Sequence, residues 1–179
     1  MPGFLDREST LVEISNCKTH RFGGHFSASL KNAVGLIAKY SHDGKRHNYM
    51  TELHASPDQR LMIAEVNQLF APALVVLDAT EVFVDGGPEQ GDLAYPQVVA
   101  VATDRAALDA VGVALLRLHG AGPPLQRGGV FDLDQLKRAG ELGLGARSLK
   151  EIRLVANSDD GRRVVAQVSA VLEREPEAK

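Results

Sequence analysis

Residues 73–78, Ala73-Leu-Val-Val-Leu-Asp78, form an unbroken apolar run closed by a carboxylate, between Pro72 and a glycine-rich acidic connection. A strand with one face in water alternates apolar and polar residues. A run without polar positions predicts a strand in a sheet covered on both faces. Two further segments read as strands, residues 10–15 (Thr-Leu-Val-Glu-Ile-Ser) and 98–102 (Val-Val-Ala-Val-Ala), with a short last one at 152–155. Helical patterns fall between them. Residues 26–38 place Leu30, Val34 and Ile37 on one face, although Gly35 weakens that helix. Ser56-Pro57 is an N-cap followed by a first-turn proline, opening a helix through Leu61, Ala64, Val66, Leu69 and Phe70. Asp104 caps a helix to His119 that Gly120 ends, and further helices follow at 132–142 and 164–172. Strands alternating with helices predict an α/β fold: a single three-layer domain, residues 1–179, with a mostly parallel sheet and helices on both faces. Residues 173–179 are charged and read as a frayed tail, and the polar segment 40–55 reads as a long surface loop or lid.

Charge is unevenly placed on this frame. The whole chain carries 20 basic and 23 acidic residues, yet residues 17–50 hold Lys18, Arg21, Lys31, Lys39, Lys45 and Arg46 against Asp43 alone. Four histidines, His20, His25, His42 and His47, lie among them. The mirror segment, 78–104, holds Asp78, Glu81, Asp85, Glu89, Asp92 and Asp104 and no lysine or arginine. In open α/β sheets ligands collect beyond the carboxyl ends of strands. Lys18 and His20 follow the first strand and Asp78 ends the second, so the three are expected on one rim. There Lys18 and Lys31 would hold a small anion, His20 would transfer a proton, and Asp78 would orient His20 or bind a divalent cation. Replacing His20 by alanine would then cost about two to four orders of magnitude in rate. The other reading of Lys18 and His20 is a strand-end turn whose polar groups cap a neighbouring helix.

Lesser candidates surround that set. Asn32 would hydrogen-bond the ligand held by Lys31, and Gly86 and Gly87 would let backbone N–H groups approach it. Asp109 is a polar position within the apolar stretch 108–116, expected to be buried against a lysine or arginine or to face the ligand. His47 is the metal candidate, although the histidine spacings fit no zinc signature. Cys17 reads as a passive buried thiol, and as the single cysteine it excludes an internal disulfide and an iron–sulfur cluster built within this chain. A pI near 6.1 gives no nucleic-acid footprint. No apolar run is long enough for a membrane span and no secretory signal is visible, so a cytoplasmic setting is expected.

Lys18-Thr19-His20, Leu30-Lys31-Asn32 with Gly35-Leu36, Asp78-Ala79, Gly86-Gly87-Pro88 with Gly91, and Ala107-Leu108-Asp109-Ala110 occur in that order over about residues 10–156. In this they resemble the uncharacterised family numbered 362 among domains of unknown function. Two departures follow from the resemblance. Family members usually begin with a further α/β segment carrying a Lys-Pro-Asn motif, for which this chain has no room, so it is similar to the later two-thirds of a family domain. Many relatives carry ferredoxin-like cysteine motifs that imply electron transfer, which one cysteine cannot supply. Gly23, Gly24, Lys31, Gly35 and His47 also look like the cofactor-tethering region of nickel-pincer lactate racemases, in which the lysine carries the cofactor and histidines ligate nickel or move the substrate proton. Three readings therefore stand open: an enzyme acting on a small anionic substrate, a non-catalytic module that completes its sheet by self-association or on a partner chain, and a racemase-like nickel enzyme.

Overall fold

The structure, a computed structural model, describes residues 10–23, 25–43 and 46–174. Gly24 and Lys45 of the basic stretch, the first nine residues and tail residues 175–179 lie outside the described residues. The chain enters as β1 (Val12–Asn16), bends at Cys17 into β2 (Lys18–His20), and returns as β3 (His25–Ser27). One short helical turn, α1 (Ser29–Asn32), runs into a 3₁₀ turn at Ala33–Leu36; α2 (Tyr49–Ala55) and α3 (Gln59–Val66) follow. Then come β4 (Leu74–Ala79), the hairpin β5 (Val82–Gly86) with β6 (Gly91–Ala94), and β7 (Val98–Ala102). The remainder is helical: α4 (Arg105–Leu118), α5 (Pro123–Gln126), α6 (Asp134–Glu141) and α7 (Asp159–Leu172). No helix among the described residues is long and apolar enough to cross a membrane.

The α/β character stands, but the sheet differs from the expected three layers. It has three strands, ordered β1-β4-β7, with β1 parallel and β7 antiparallel to β4. The cause is the connection: a hairpin sends the chain back antiparallel, whereas a parallel neighbour needs a crossover. The inner face, with Val75, Leu77 and Ala79, packs against α4 and is buried. The outer face is open. Val12, Ile14, Val99 and Val101 are 48%, 67%, 59% and 57% exposed, and Ile14, Val76 and Val101 stand side by side across the sheet. The β4 run suggested burial on both faces because Leu74 and Val76 are apolar, yet among the described residues no layer buries them fully.

Other differences have local causes. The helix expected over 26–38 is present but shorter: residues 26 and 27 belong to β3, and α1 passes into the 3₁₀ turn that ends at Leu36, where Gly35 lowers the helical propensity. The loop expected over 40–55 contains α2, because Asn48 Oδ1 accepts from the Met50 and Thr51 amides and starts a helix there. Asp104 caps α4 as expected, accepting from the Ala107 amide at 2.9 Å. Residues 152–155 form no strand; Ile152 and Leu154 pack on the core while Val155 is exposed.

Candidate functional site

The bend between β1 and β2 is fixed from β4 and β5. The Cys17 amide donates to the Asp78 carbonyl at 2.8 Å, Thr19 Oγ1 donates to the Phe83 carbonyl at 3.1 Å, and the Arg21 amide donates to the Gly87 carbonyl at 3.3 Å. Arg21 also pairs with Glu89, so the basic stretch and the acidic stretch do meet along this seam. Gly87, at φ +69°, lies so close to Thr19 that a Cβ would strike its carbonyl oxygen. These clamps set Lys18 and His20 on β2, next to the turn that carries Lys31.

Lys31 and His20 are each only 8% exposed. Neither makes a hydrogen bond or ion pair through its side chain among the described residues, and His20 Nδ1 is buried without a partner. Burial, with the charge of Lys18 behind it, lowers the Lys31 ammonium to about 8. Burial, and then the positive charges of Lys31, His54, Lys18 and Arg21, lower His20 to about 4. His20 is therefore neutral at physiological pH. Its ring lies 5.6 Å from Phe22 and 6.2 Å from His54, and Phe22 and His54 are 6.3 Å apart, so the three rings form a triangle beside the lysines. His54 Nδ1 is 2.7 Å from the Met50 carbonyl, which orients the ring. Cations normally find carboxylates when they leave water. Here Lys18 and Lys31 lie together with no carboxylate bonded to either among the described residues, which leaves a positively charged cluster.

The other end of α1 is held by a second buried polar cluster. Asp109 of α4 is fully buried and accepts from the Ser29 amide at 2.7 Å, from the Leu30 amide at 3.2 Å and from Gln135 Nε2 at 3.3 Å. Burial raises its carboxyl to about 8 against the pull of those donors. Glu13, on the inner face of β1, is also raised by burial and faces Asn32, Ser29 and the charge of Arg105. Arg105 in turn donates to Asn67 Oδ1 and to the Asn67 and Phe70 carbonyls. Asp109 thus anchors the turn that carries Lys31 and offers no surface to a ligand.

The remaining candidates are spread around these two clusters. Asp78 keeps its carboxylate on the Thr80 amide and hydroxyl, at 2.9 and 2.7 Å, which hold it below the usual carboxylate range. It makes no hydrogen bond to His20, and its share in the site is the main-chain bond to Cys17. Asn32 Nδ2 donates to the Ile14 carbonyl at 3.3 Å. The Gly87 amide donates back to Gln90 at 2.6 Å, and the Gly86 amide to its neighbour Asp85. His47 Nε2 is 2.8 Å from Glu52, on an exposed pair with Tyr49 beside it. No group of three or more metal-ligating side chains converges among the described residues, so the residues present do not fit the divalent metal or nickel group. Cys17 is buried, its thiol bonded to the Gly112 carbonyl and pushed up by burial, and it is inert.

Sequence reasoning undervalued His54, Phe22, Glu13 and Arg105. One signal was present: the alternation Val12-Glu13-Ile14-Ser15 puts Glu13 on the face opposite the two apolar residues. Two shallow concavities of about 310 Å³ lie elsewhere, along α6 and between α3 and α6.

A family model, Domain of unknown function (DUF362), matches residues 5–114. The chain belongs to that family. The DUF362 match runs from before β1 into α4 and includes both clusters around α1 except Gln135. No curated protein and no solved structure matches the chain.

Proposed function

We propose that this DUF362 chain binds a small anion at the cluster formed by Lys18, Lys31, His20 and His54. The observation that carries the reading is a buried lysine with no acidic partner among the described residues, beside a buried histidine whose Nδ1 is unpartnered. An uncompensated buried cation costs several kcal/mol, a cost a fold tolerates where a ligand relieves it. An anion would remove the mutual repulsion of these groups and raise both Lys31 and His20, so binding would take up protons. Affinity is then highest below the Lys31 value of about 8 and falls as pH rises through it. His20, neutral and unpartnered at Nδ1, is the group placed to accept a proton from a bound acid. Titration with inorganic phosphate, followed through the His20 ring resonances, tests the reading. Saturable shifts that vanish in Lys31→Met are expected; unshifted resonances at millimolar phosphate would contradict it.

The open sheet face favours a second role beside the first. Val12, Ile14, Val76, Val99 and Val101 form a continuous apolar surface, and among the described residues β1 has no strand on its outer side. Such faces and edges pair with other chains, and a second copy would cover like with like. Light scattering at micromolar concentration should report a dimer that Ile14→Lys with Val101→Lys dissociates. A wild-type monomer would remove this role.

A further inference from the structure

We propose that Lys31 is a carbonyl-reactive amine that condenses with a small 2-oxo acid, Lys18 holding the carboxylate and His20 carrying the proton. The proposal rests on the anion reading and adds a covalent step to it. Its ground is the placement of three groups. Lys31 is nearly buried, has no acidic partner among the described residues, and stands beside a second lysine. The carboxylates packed against its turn point elsewhere: Asp109 from α4 to the Ser29 and Leu30 amides, Glu13 from β1 towards Asn32, Ser29 and Arg105. The titratable groups left facing Lys31 are Lys18 and the neutral His20, both on β2.

A lysine kept from water beside another cation is how an amine becomes a nucleophile near neutral pH. With Lys31 at about 8, about a tenth of it is free amine at pH 7. Its lone pair attacks the keto carbon and a C–N bond forms. The carbonyl π pair moves to oxygen, which takes up a proton while nitrogen loses one, His20 relaying it. The carbinolamine then loses water, leaving the imine and no change in oxidation state. A 2-oxo acid suits the pair because its carboxylate is adjacent to the carbon attacked, within reach of one lysine while the other reacts.

Pyruvate with sodium borohydride, followed by peptide mass analysis, tests this on the whole chain. The expected result is a reduced adduct on Lys31 forming roughly a hundredfold faster at pH 7 than on surface lysines, from its larger neutral fraction. The rate should level off above about pH 8. Lys31→Arg should remove the adduct, and Lys18→Met should require more pyruvate and a higher pH. Adducts spread over the exposed lysines, or no adduct, would overturn the proposal. Lactate, which has the carboxylate without the carbonyl, separates the two ideas. If lactate shifts the His20 resonances while pyruvate is never trapped, the covalent step fails and the anion site stands. If lactate and phosphate both leave His20 unmoved, both fail.

Discussion

The two ends of one short turn, α1, meet opposite kinds of buried charge. At its start Asp109 is fully buried and bonded to three donors; beyond its middle Lys31 is almost as buried and bonded to no acceptor among the described residues. Both are shifted by burial towards their neutral forms, but only the acid is answered by the protein itself. The difference separates support from function. A satisfied buried group fixes a backbone, and an unsatisfied one waits for a partner from outside.

The strongest way to break this contrast is Asp109→Ala. Two backbone amides and Gln135 would lose their acceptor, and about 3 kcal/mol of stability should go with them, read by urea denaturation. A loss below about 1 kcal/mol would mean that Asp109 is not the anchor. Asp109→Asn keeps an acceptor and should lose less.

The pH dependence sharpens the comparison because the two clusters have opposite signs. Asp109 holds its proton to about 8 when folded and releases it near 3.8 when unfolded, so it withdraws stability as pH rises between those values. His20 resists protonation to about 4 when folded but not below 6.5 when unfolded, so it withdraws stability as pH falls through that window. Denaturation curves from pH 4 to 8 should therefore show a shallower alkaline decline in Asp109→Asn and a shallower acid decline in His20→Phe, Glu13 and His25 supplying what remains. Unchanged curves in both variants would contradict the assignment. The smallest effect is expected at Gly112, which touches neither cluster. A Cβ there would lie 3.0 Å from Leu77 Cδ2 and 3.3 Å from Cys17 Sγ. Gly112→Ala should cost about 1 kcal/mol by crowding and leave the phosphate response intact.

Much of this was legible from residue order alone. The strands at β4 and β7, the cap at Asp104 and the pairing of Lys18 with His20 past the first strand follow from local pattern, and local pattern is what the chain there obeys. The sheet's second face was not legible, because Leu74 and Val76 look the same whether a layer of this chain or another molecule covers them. Nor was the division of labour among the charges. Asp78 and Asp109 were both carboxylates in favourable places, yet Thr80 two residues on occupies the first, while the second is occupied by a turn eighty residues distant. His54 was undervalued because its partners, His20 and Phe22, come from another part of the chain.

The central claim is that Lys31 is held in the fold at a cost which an anion relieves, and one comparison addresses it directly. Urea denaturation of the wild type and of Lys31→Met, each with and without inorganic phosphate, gives four stabilities. Without phosphate the variant should be more stable by about 1 kcal/mol, since a buried unpaired charge gives way to an apolar chain of similar length. With phosphate at ten times its Kd the wild type should gain about 1.4 kcal/mol and the variant nothing. A variant less stable than the wild type, with the same gain from phosphate, would contradict the account.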